Sequence, residues 1–353
     1  MKIIVDDCIP YIKGQIEKIA DEVIYCPGSE FSSVEVQDAD ALVIRTRTVC
    51  NKSLLEGSKV RFIATATIGM DHIDLDYCNS AGITVANAAG CNVQSVVQYI
   101  RSCLYLLKLI KGVDFKGQTF GVIGVGHVGR EVARLAEEEF GFRVLLNDPP
   151  RAAKEGTDGF VSLETLLAES DVISCHTLLT RTGQWPSFHL LDSHRFAEMG
   201  KKPILINSSR GEVIETAAIK KAIDNDILSH VLLDVWENEP NIDQMLMNKC
   251  FLATPHIAGY SADGKVNGTT MSLDSLISFF NIDMEKGKWD IQIPTPESPI
   301  IYASGEMDAA LQYYNPFRDH IALTENPSSF ELLRGNYPLR REQIGYKTYY
   351  YKV

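Results

Sequence analysis

The chain has 353 residues, of which 34 are lysine or arginine and 46 are aspartate or glutamate, for a formal net charge of −12. Single domains usually hold about 100 to 200 residues, so the length predicts more than one core. The acidic balance, with a pI near 5.2, excludes the clustered cationic surface that binding to nucleic acid phosphates requires.

The opening "MKIIVDDCIPY" reaches Asp6 and Asp7 at once and lacks the apolar region of a signal peptide. No apolar run approaches the roughly 20 residues of a membrane span. A cytoplasmic protein is therefore expected. The cysteines, from Cys8 to Cys250, are scattered without a C-x-x-C pair. That pattern suits reduced thiols rather than a disulfide frame or a zinc site, and no metal is expected.

From the N-terminus, short apolar runs alternate with stretches that can be helical: "KIIVD", "EVIYC", "ALVIRT", "RFIATAT" and "ITVANA". Runs this short, rich in Ile and Val and bounded by turn formers or charges, are the pattern of parallel strands buried on both faces. "VIRTRT" and "ATATIGMDH" place Arg45, Thr46, Arg47, Thr65 and Thr67 at strand ends. Cations and hydroxyls there suit a phosphorylated, hydroxylated substrate, although Arg45 or Arg47 could equally be a surface cation. Lys2 is a further candidate.

"NVQSVVQYIRSCLYLLKLIKG" then predicts a long helix, with Val93, Val97, Ile100, Leu104 and Leu107 on one face, Asn92 as its cap and Gly112 at its end. A second series of strands follows: "TFGVIGV", "RVLLND", "DVISCH", "PILINSS", "HVLLDVW" and "FLATPH". Helical segments lie between them, as a doubly wound sheet requires. "YSADGKVNGTTMSLDSLISFF" predicts a helix returning toward the first unit, so the chain would cross twice between two lobes around a cleft. After the proline-rich "IPTPESP", the tyrosine-rich tail ending in "YKTYYYKV" is too short for an ample core and reads as strands packing on a partner or on the main body.

"GVIGVGHVG" holds Gly124, Gly126 and Gly129 in the spacing G-x-G-x-x-G. Alone this is weak, because glycine-rich turns are common. Here it joins a predicted strand to the amphipathic "HVGREVARLAEEEF", where backbone can approach a pyrophosphate and unpaired helix-start N–H groups can donate to it. Asp148 ends the next strand, about 20 residues on, where a carboxylate accepts from ribose hydroxyls and repels a 2′-phosphate. NAD is therefore expected over NADP.

Later strand ends carry Ser208, Ser209 and Arg210 in "LINSSRGEVIE", Asp234 and Glu239 in "LLDVWENEP", and His256 in "ATPHIAGY". All should emerge at the carboxyl edge of the sheet. Their types suit oxidation of a 2-hydroxy acid. Histidine can take the hydroxyl proton near neutral pH. A carboxylate beside it would hold its tautomer, which points to Glu239, and Arg210 offers a permanently charged fork for the substrate carboxylate. Any one of these is common as a structural or solvated residue; the set, following a dinucleotide loop, is not.

These segments resemble the D-isomer-specific 2-hydroxyacid dehydrogenases. "TATIGMDHID", "AAGCNVQSVVQY", "HTLLTRTGQWPSFHLLD", "HIAGYSADGKVNGTT" and "FELLRGNYPLRRE" narrow the resemblance to a branch acting on a phosphorylated hydroxy acid. The resemblance implies Arg210, Glu239 and His256 as catalytic residues. It implies NAD contacts at His127, Val128, Asp148, Thr177, Ser208, Ser209, Arg210, Asp234 and Gly259, and substrate contacts at Thr46, Thr67 and Tyr260. His127 stands where the family commonly carries asparagine, and the tail is shorter than usual.

The expected architecture is α/β, with two Rossmann-like, doubly wound parallel-sheet lobes and a small C-terminal α+β domain. Residues 1–94 with 260–285 would bind substrate, 95–259 would bind NAD, and 286–353 would form a homodimer, as the resemblance implies. Three alternatives stay open: another D-2-hydroxyacid dehydrogenase, for instance one acting on 3-phosphoglycerate; a non-enzymatic NAD-sensing protein of the same fold; and a methyltransferase, which would leave Glu239 and His256 without a role.

Overall fold

The structure, a computed structural model, describes residues 1–351 and divides into two compact units. The first comprises Met1–Asn92 and Ser261–Pro294; the second comprises Val93–Tyr260 and the chain from Thr295 onward.

In the first unit β1 (Lys2–Asp6), β2 (Glu22–Cys26), β3 (Ala41–Ile44), β4 (Phe62–Thr65) and β5 (Thr84–Asn87) form one sheet in the order β2-β1-β3-β4-β5. Every pairing is parallel. The β3 and β4 side chains are buried throughout, because both faces are covered. Ile3, Val5, Ala41, Val43 and Phe62 pack on one face against Leu273 and Leu276 of the helix Ala262–Phe280. Ser261 caps that helix by accepting the Gly264 N–H at 2.8 Å. Ile4, Leu42, Ile44 and Ile63 fill the opposite face.

In the second unit β6 (Thr119–Ile123), β7 (Arg143–Asn147), β8 (Val172–Cys175), β9 (Ile204–Asn207), β10 (His230–Leu233) and β11 (Leu252–Ala253) form a parallel sheet in the order β11-β10-β9-β8-β6-β7. From β6 the chain steps outward to β7 and then returns to β8 on the other side. The strand order therefore reverses between β6 and β8, and ligands of open α/β sheets bind beyond the carboxyl ends at such a point.

The helix Val93–Lys111 belongs to this unit and is buried far beyond one apolar face: Gln98, Arg101 and Ser102 are buried as well. The C-terminal segment supplies the cover, with the helix Glu306–Tyr313 packing on Val93–Lys111. Ser102 Oγ donates to the Tyr314 carbonyl at 2.8 Å, and Arg101 reaches Gln343 and Glu306 at 3.0 and 2.8 Å. The tail is more helical than its tyrosines suggest. Helices Glu306–Tyr313, Phe317–Glu325 and Phe330–Gly335 separate β12 (Ile300–Ala303) from β13 (Lys347–Tyr350), which pair in parallel. Leu323 and Phe330 of the tail join the core of the second unit. The cap expected at Asn92 does not form, since its Oδ1 is buried with no hydrogen-bond partner. No helix among the described residues is long and apolar enough to cross a membrane.

Candidate active site

The loop after β6 is fixed by its glycines. Gly124 has φ of +86°, and a Cβ there would lie 2.6 Å from the Thr177 backbone nitrogen. A Cβ on Gly129 would lie 2.0 Å from the Gly124 carbonyl oxygen. At Gly126, by contrast, a Cβ would meet nothing within 4 Å. The loop is thus closed against its own protein at two glycines and open at the third. Gly126 caps the helix His127–Glu138 with no side-chain hydrogen bond, so N–H groups of its first turn remain to face an anion. His127 is exposed and Val128 half-buried at that helix start.

Asp148 follows β7 and ties the loop down, its Oδ2 accepting the Val125 N–H at 2.8 Å. Its Oδ1 accepts the Arg151 N–H at 3.0 Å and so caps the helix Pro149–Glu155. Arg151, for which the sequence suggested no role, donates to the Val125 carbonyl at 2.6 Å and so braces the same loop. Thr177, past β8, sits against Gly124 across the reversal point. Beyond β9 the Ser208 hydroxyl is buried without a partner, as a group awaiting a ligand would be. An open glycine turn, an uncapped helix start, a carboxylate at the end of β7 and an orphaned hydroxyl together fit a bound dinucleotide.

The chemistry-bearing loops after β9, β10 and β11 interlock through the backbone. The Asp234 N–H donates to the Asn207 carbonyl at 3.0 Å, and the His256 N–H donates to the Asp234 carbonyl at 2.7 Å. Asn207 shapes the turn that carries Arg210: its Oδ1 accepts the Ser209 N–H and hydroxyl, and its Nδ2 donates to the Arg210 carbonyl at 2.9 Å. The Arg210 Nη1 donates to the Ser209 carbonyl at 2.8 Å. Next to it, a Cβ on Gly211 would lie 1.9 Å from the Trp236 carbonyl carbon, so the Arg210 turn rests directly on the loop that leads to Glu239.

Glu239 and His256 form a pair. His256 Nδ1 lies 2.8 Å from Glu239 Oε2, while Glu239 Oε1 accepts the Trp236 N–H at 3.0 Å. With Nδ1 engaged by a carboxylate, Nε2 is the ring nitrogen left for a reacting group. Burial alone would push the Glu239 carboxyl up, but the charges of His256 and Arg334 and the Trp236 N–H outweigh it and hold the carboxyl below the ordinary range. His256 itself sits at φ of +57°, a left-handed backbone uncommon for histidine.

Asp234 behaves differently from its neighbours. It is fully buried, and its carboxylate accepts the Thr254 hydroxyl at 2.7 Å and the N–H groups of Ile257 and Ala258 at 2.8 and 2.9 Å. Its observed partners all hold the loop bearing His256. Gly259 and Tyr260 are half-buried at the end of that loop, Tyr260 edge-on to Tyr337. A second imidazole–carboxylate pair, His189 Nε2 with Glu237 Oε1 at 2.6 Å, was not legible in the sequence. Glu237 also accepts the Thr216 N–H at the start of the helix Thr216–Asp224.

In the first unit, Arg45, Thr46 and Arg47 follow β3, and Thr67 follows β4, so all lie past the carboxyl ends of adjacent strands. Arg45 donates to the Cys8 carbonyl at 2.8 Å. Thr46 and Arg47 are exposed. The Thr67 and Thr65 hydroxyls are 2.7 Å apart. Lys2 is corrected: it starts β1, at the amino edge of the sheet, and pairs with Asp38 and Glu22 at 3.0 and 3.4 Å. Asp6, Asp7 and Cys8 bring potential ligand atoms together, but Asp6 is spent on the Cys8 N–H and Asp7 on the Cys8 thiol.

Residues 92–258 match the model of the D-isomer specific 2-hydroxyacid dehydrogenase NAD binding domain. The chain is 54% identical to the erythronate-4-phosphate dehydrogenase of Bacteroides thetaiotaomicron over 98% of each chain. It is 39% identical to that of Porphyromonas gingivalis, over 97% of this chain and 94% of the relative. A solved structure of D-lactate dehydrogenase from Aquifex aeolicus, complexed with NAD and lactic acid, is 26% identical with a TM-score of 0.65, covering 82% of this chain and 98% of that one. The chain belongs to the D-isomer specific 2-hydroxyacid dehydrogenase family, alongside its erythronate-4-phosphate dehydrogenases.

Proposed function

We propose that the protein oxidises 4-phospho-D-erythronate at C2 to 3-hydroxy-2-oxo-4-phosphooxybutanoate, using NAD, in the synthesis of pyridoxal 5′-phosphate. The observation that carries the reading is the 2.8 Å contact between Glu239 and His256 Nδ1, on loops at the carboxyl edge of a sheet whose first turn fits a dinucleotide.

NAD, when bound, supplies the acceptor that takes the C2 hydrogen with its electron pair. His256 Nε2 accepts the C2 hydroxyl proton as the carbonyl forms. Glu239 holds the imidazole in the tautomer with Nδ1 protonated and stabilises the imidazolium that results. Arg210 takes the substrate carboxylate in a two-pronged contact and polarises the C2 oxygen. Gly124, Gly126, Gly129, His127 and Val128 receive the cofactor pyrophosphate, Asp148 its ribose, and Thr177, Ser208, Ser209 and Gly259 its remainder. Arg45, Thr46, Arg47, Thr67 and Tyr260 bind the substrate. The protein works in the cytoplasm as a homodimer built through residues 286–353.

A panel of phosphorylated and plain D-2-hydroxy acids, scored by kcat/KM with NAD, tests this. The phosphorylated erythronate is expected to lead by at least about a hundredfold, the scale set by lost charge-assisted contacts. A lead for 3-phosphoglycerate would reassign the substrate within the family. NAD binding without turnover of any member would replace the enzyme with a sensor.

A further inference from the structure

The C-terminal segment carries a cation into the Glu239–His256 pair. Arg334, on the helix Phe330–Gly335, places Nη1 3.7 Å from Glu239 Oε2, the same oxygen that binds His256 Nδ1. That separation is too long for a hydrogen bond, so Arg334 acts on the oxygen through charge while His256 keeps the directed contact. The helix is held in place: Phe330 is 1% exposed and lies in the core that includes Trp236, whose N–H binds the other Glu239 oxygen. The two carboxylate oxygens thus have one neutral donor on one side and an imidazole with a guanidinium on the other.

We propose that Arg334 is a positioning residue of the reaction, keeping Glu239 charged and so committed to His256 Nδ1. The inference rests on the reading of His256 as proton acceptor. A buried carboxylate with only an imidazole for company could take up a proton and release the ring; a fixed cation at the same oxygen opposes that. Charged residues of the site come from the tail helix, the turn after β9 and the loop after β10. Arg334 lies on the tail helix and Arg210 on the turn after β9. Glu237 is committed to His189, and Asp234 is spent on the backbone of the His256 loop. Arg334 makes no hydrogen bond to Glu239 or His256, so its charge can be removed without cutting a hydrogen bond of the pair.

The test compares full-length wild type with R334M, R334Q and R334K. Losing the cation makes the pair easier to protonate, so the acid limb of the pH profile of kcat/KM is expected to move to higher pH by about half a unit in R334M and R334Q. kcat should fall about three- to tenfold, while KM for NAD stays within about twofold, and R334K should restore the limb. A second readout needs no substrate: the rate at which diethyl pyrocarbonate modifies His256, followed by peptide mass spectrometry across pH, should shift in the same direction. If the wild type oxidises no hydroxy acid, the proposed function fails while this modification profile still reports on Arg334. Superimposable profiles for wild type and both uncharged variants would overturn the proposal.

Discussion

Asp234 and Arg340 hold the same two residues, Ile257 and Ala258, one through their N–H groups and the other through their carbonyls. The Asp234 carboxylate accepts the N–H groups of Ile257 and Ala258 at 2.8 and 2.9 Å. The Arg340 guanidinium donates to the carbonyls of Ile257 and Ala258 at 3.1 and 2.6 Å. The segment immediately after His256 is thereby held by a carboxylate and a guanidinium, one from the sheet and one from the tail. Arg340 also donates to Gln98 and Ser95 and lies 3.9 Å over the Tyr314 ring. Replacing Arg340 by Met leaves several buried acceptors unpaired and should cost about 3 to 5 kcal/mol. Urea unfolding measures it, and a cost below about 1 kcal/mol would mean that the tail does not brace this loop.

His256→Asn should lower kcat by about a thousandfold, within the usual range for removing a general base. NADH affinity, read by fluorescence titration, should change less than about threefold, since the side chain is bonded to Glu239 and not to the glycine turn. Glu239→Gln should cost about ten- to a hundredfold, because the ring stays present but loses its charged partner. Near-normal turnover in His256→Asn would remove the assigned base.

Gly126 and Gly129 should separate binding from folding. A Cβ on Gly126 meets no protein atom within 4 Å. Gly126→Ala should therefore melt within about 1 °C of wild type while weakening NAD at least about tenfold, because the methyl group occupies the approach to the pyrophosphate. A Cβ on Gly129 would lie 2.0 Å from the Gly124 carbonyl oxygen, so Gly129→Ala must displace backbone and should lose about 2 to 4 kcal/mol of stability. Equal melting temperatures for the two variants would contradict this division.

The two parallel sheets were readable because strands buried on both faces leave short runs rich in β-branched residues, and each run from "KIIVD" to "FLATPH" falls on a strand. The residues past their carboxyl ends followed from that, Glu239 and His256 among them. The tail was not readable in the same way. Its tyrosines suggested strands, yet Ala309, Ala310 and Tyr313 belong to a helix that packs on Val93–Lys111. Arg101 and Gln98 look solvent-facing in the helical periodicity, and their partners are distant in sequence: Glu139 and the tail's Glu306 and Gln343 for Arg101, and the tail's Arg340 for Gln98. Arg334 and Arg340 are undistinguished cations until the fold brings them to Glu239 and to the His256 loop. Lys2 was misplaced although its position at the start of "KIIVD" already puts it at the amino end of a parallel strand, opposite the carboxyl edge where ligands bind.

Asp148→Asn tests cofactor choice. The carboxylate should repel a 2′-phosphate, while its oxygens also hold Val125 and Arg151 N–H groups at 2.8 and 3.0 Å. Asparagine keeps one acceptor and removes the charge, and Arg151 stays nearby as a cation. The ratio of kcat/KM for NADP over NAD should rise about ten- to a hundredfold, with NAD itself losing about tenfold. An unchanged ratio would place the discrimination elsewhere.

His176, just past β8, gives the second unit a pH-dependent stability of definite sign. Burial drives its imidazole down from the ordinary 6.5 to about 3, and its Nε2 lies 2.8 Å from the Ser174 hydroxyl. The folded chain therefore keeps the ring neutral where the unfolded chain protonates it. The stabilisation is complete above about pH 6.5 and declines as the pH falls from there toward 3. At pH 5 this one group should cost about 2 kcal/mol relative to neutral pH, being some 1.5 pH units below the unfolded value. His176→Gln keeps a group able to bond Ser174 but cannot take up the proton. Urea unfolding at pH 7.5 and pH 5 should show the wild type losing about 2 kcal/mol more than the variant across that interval. Parallel losses would mean that His176 is solvated, or already protonated, in the folded protein.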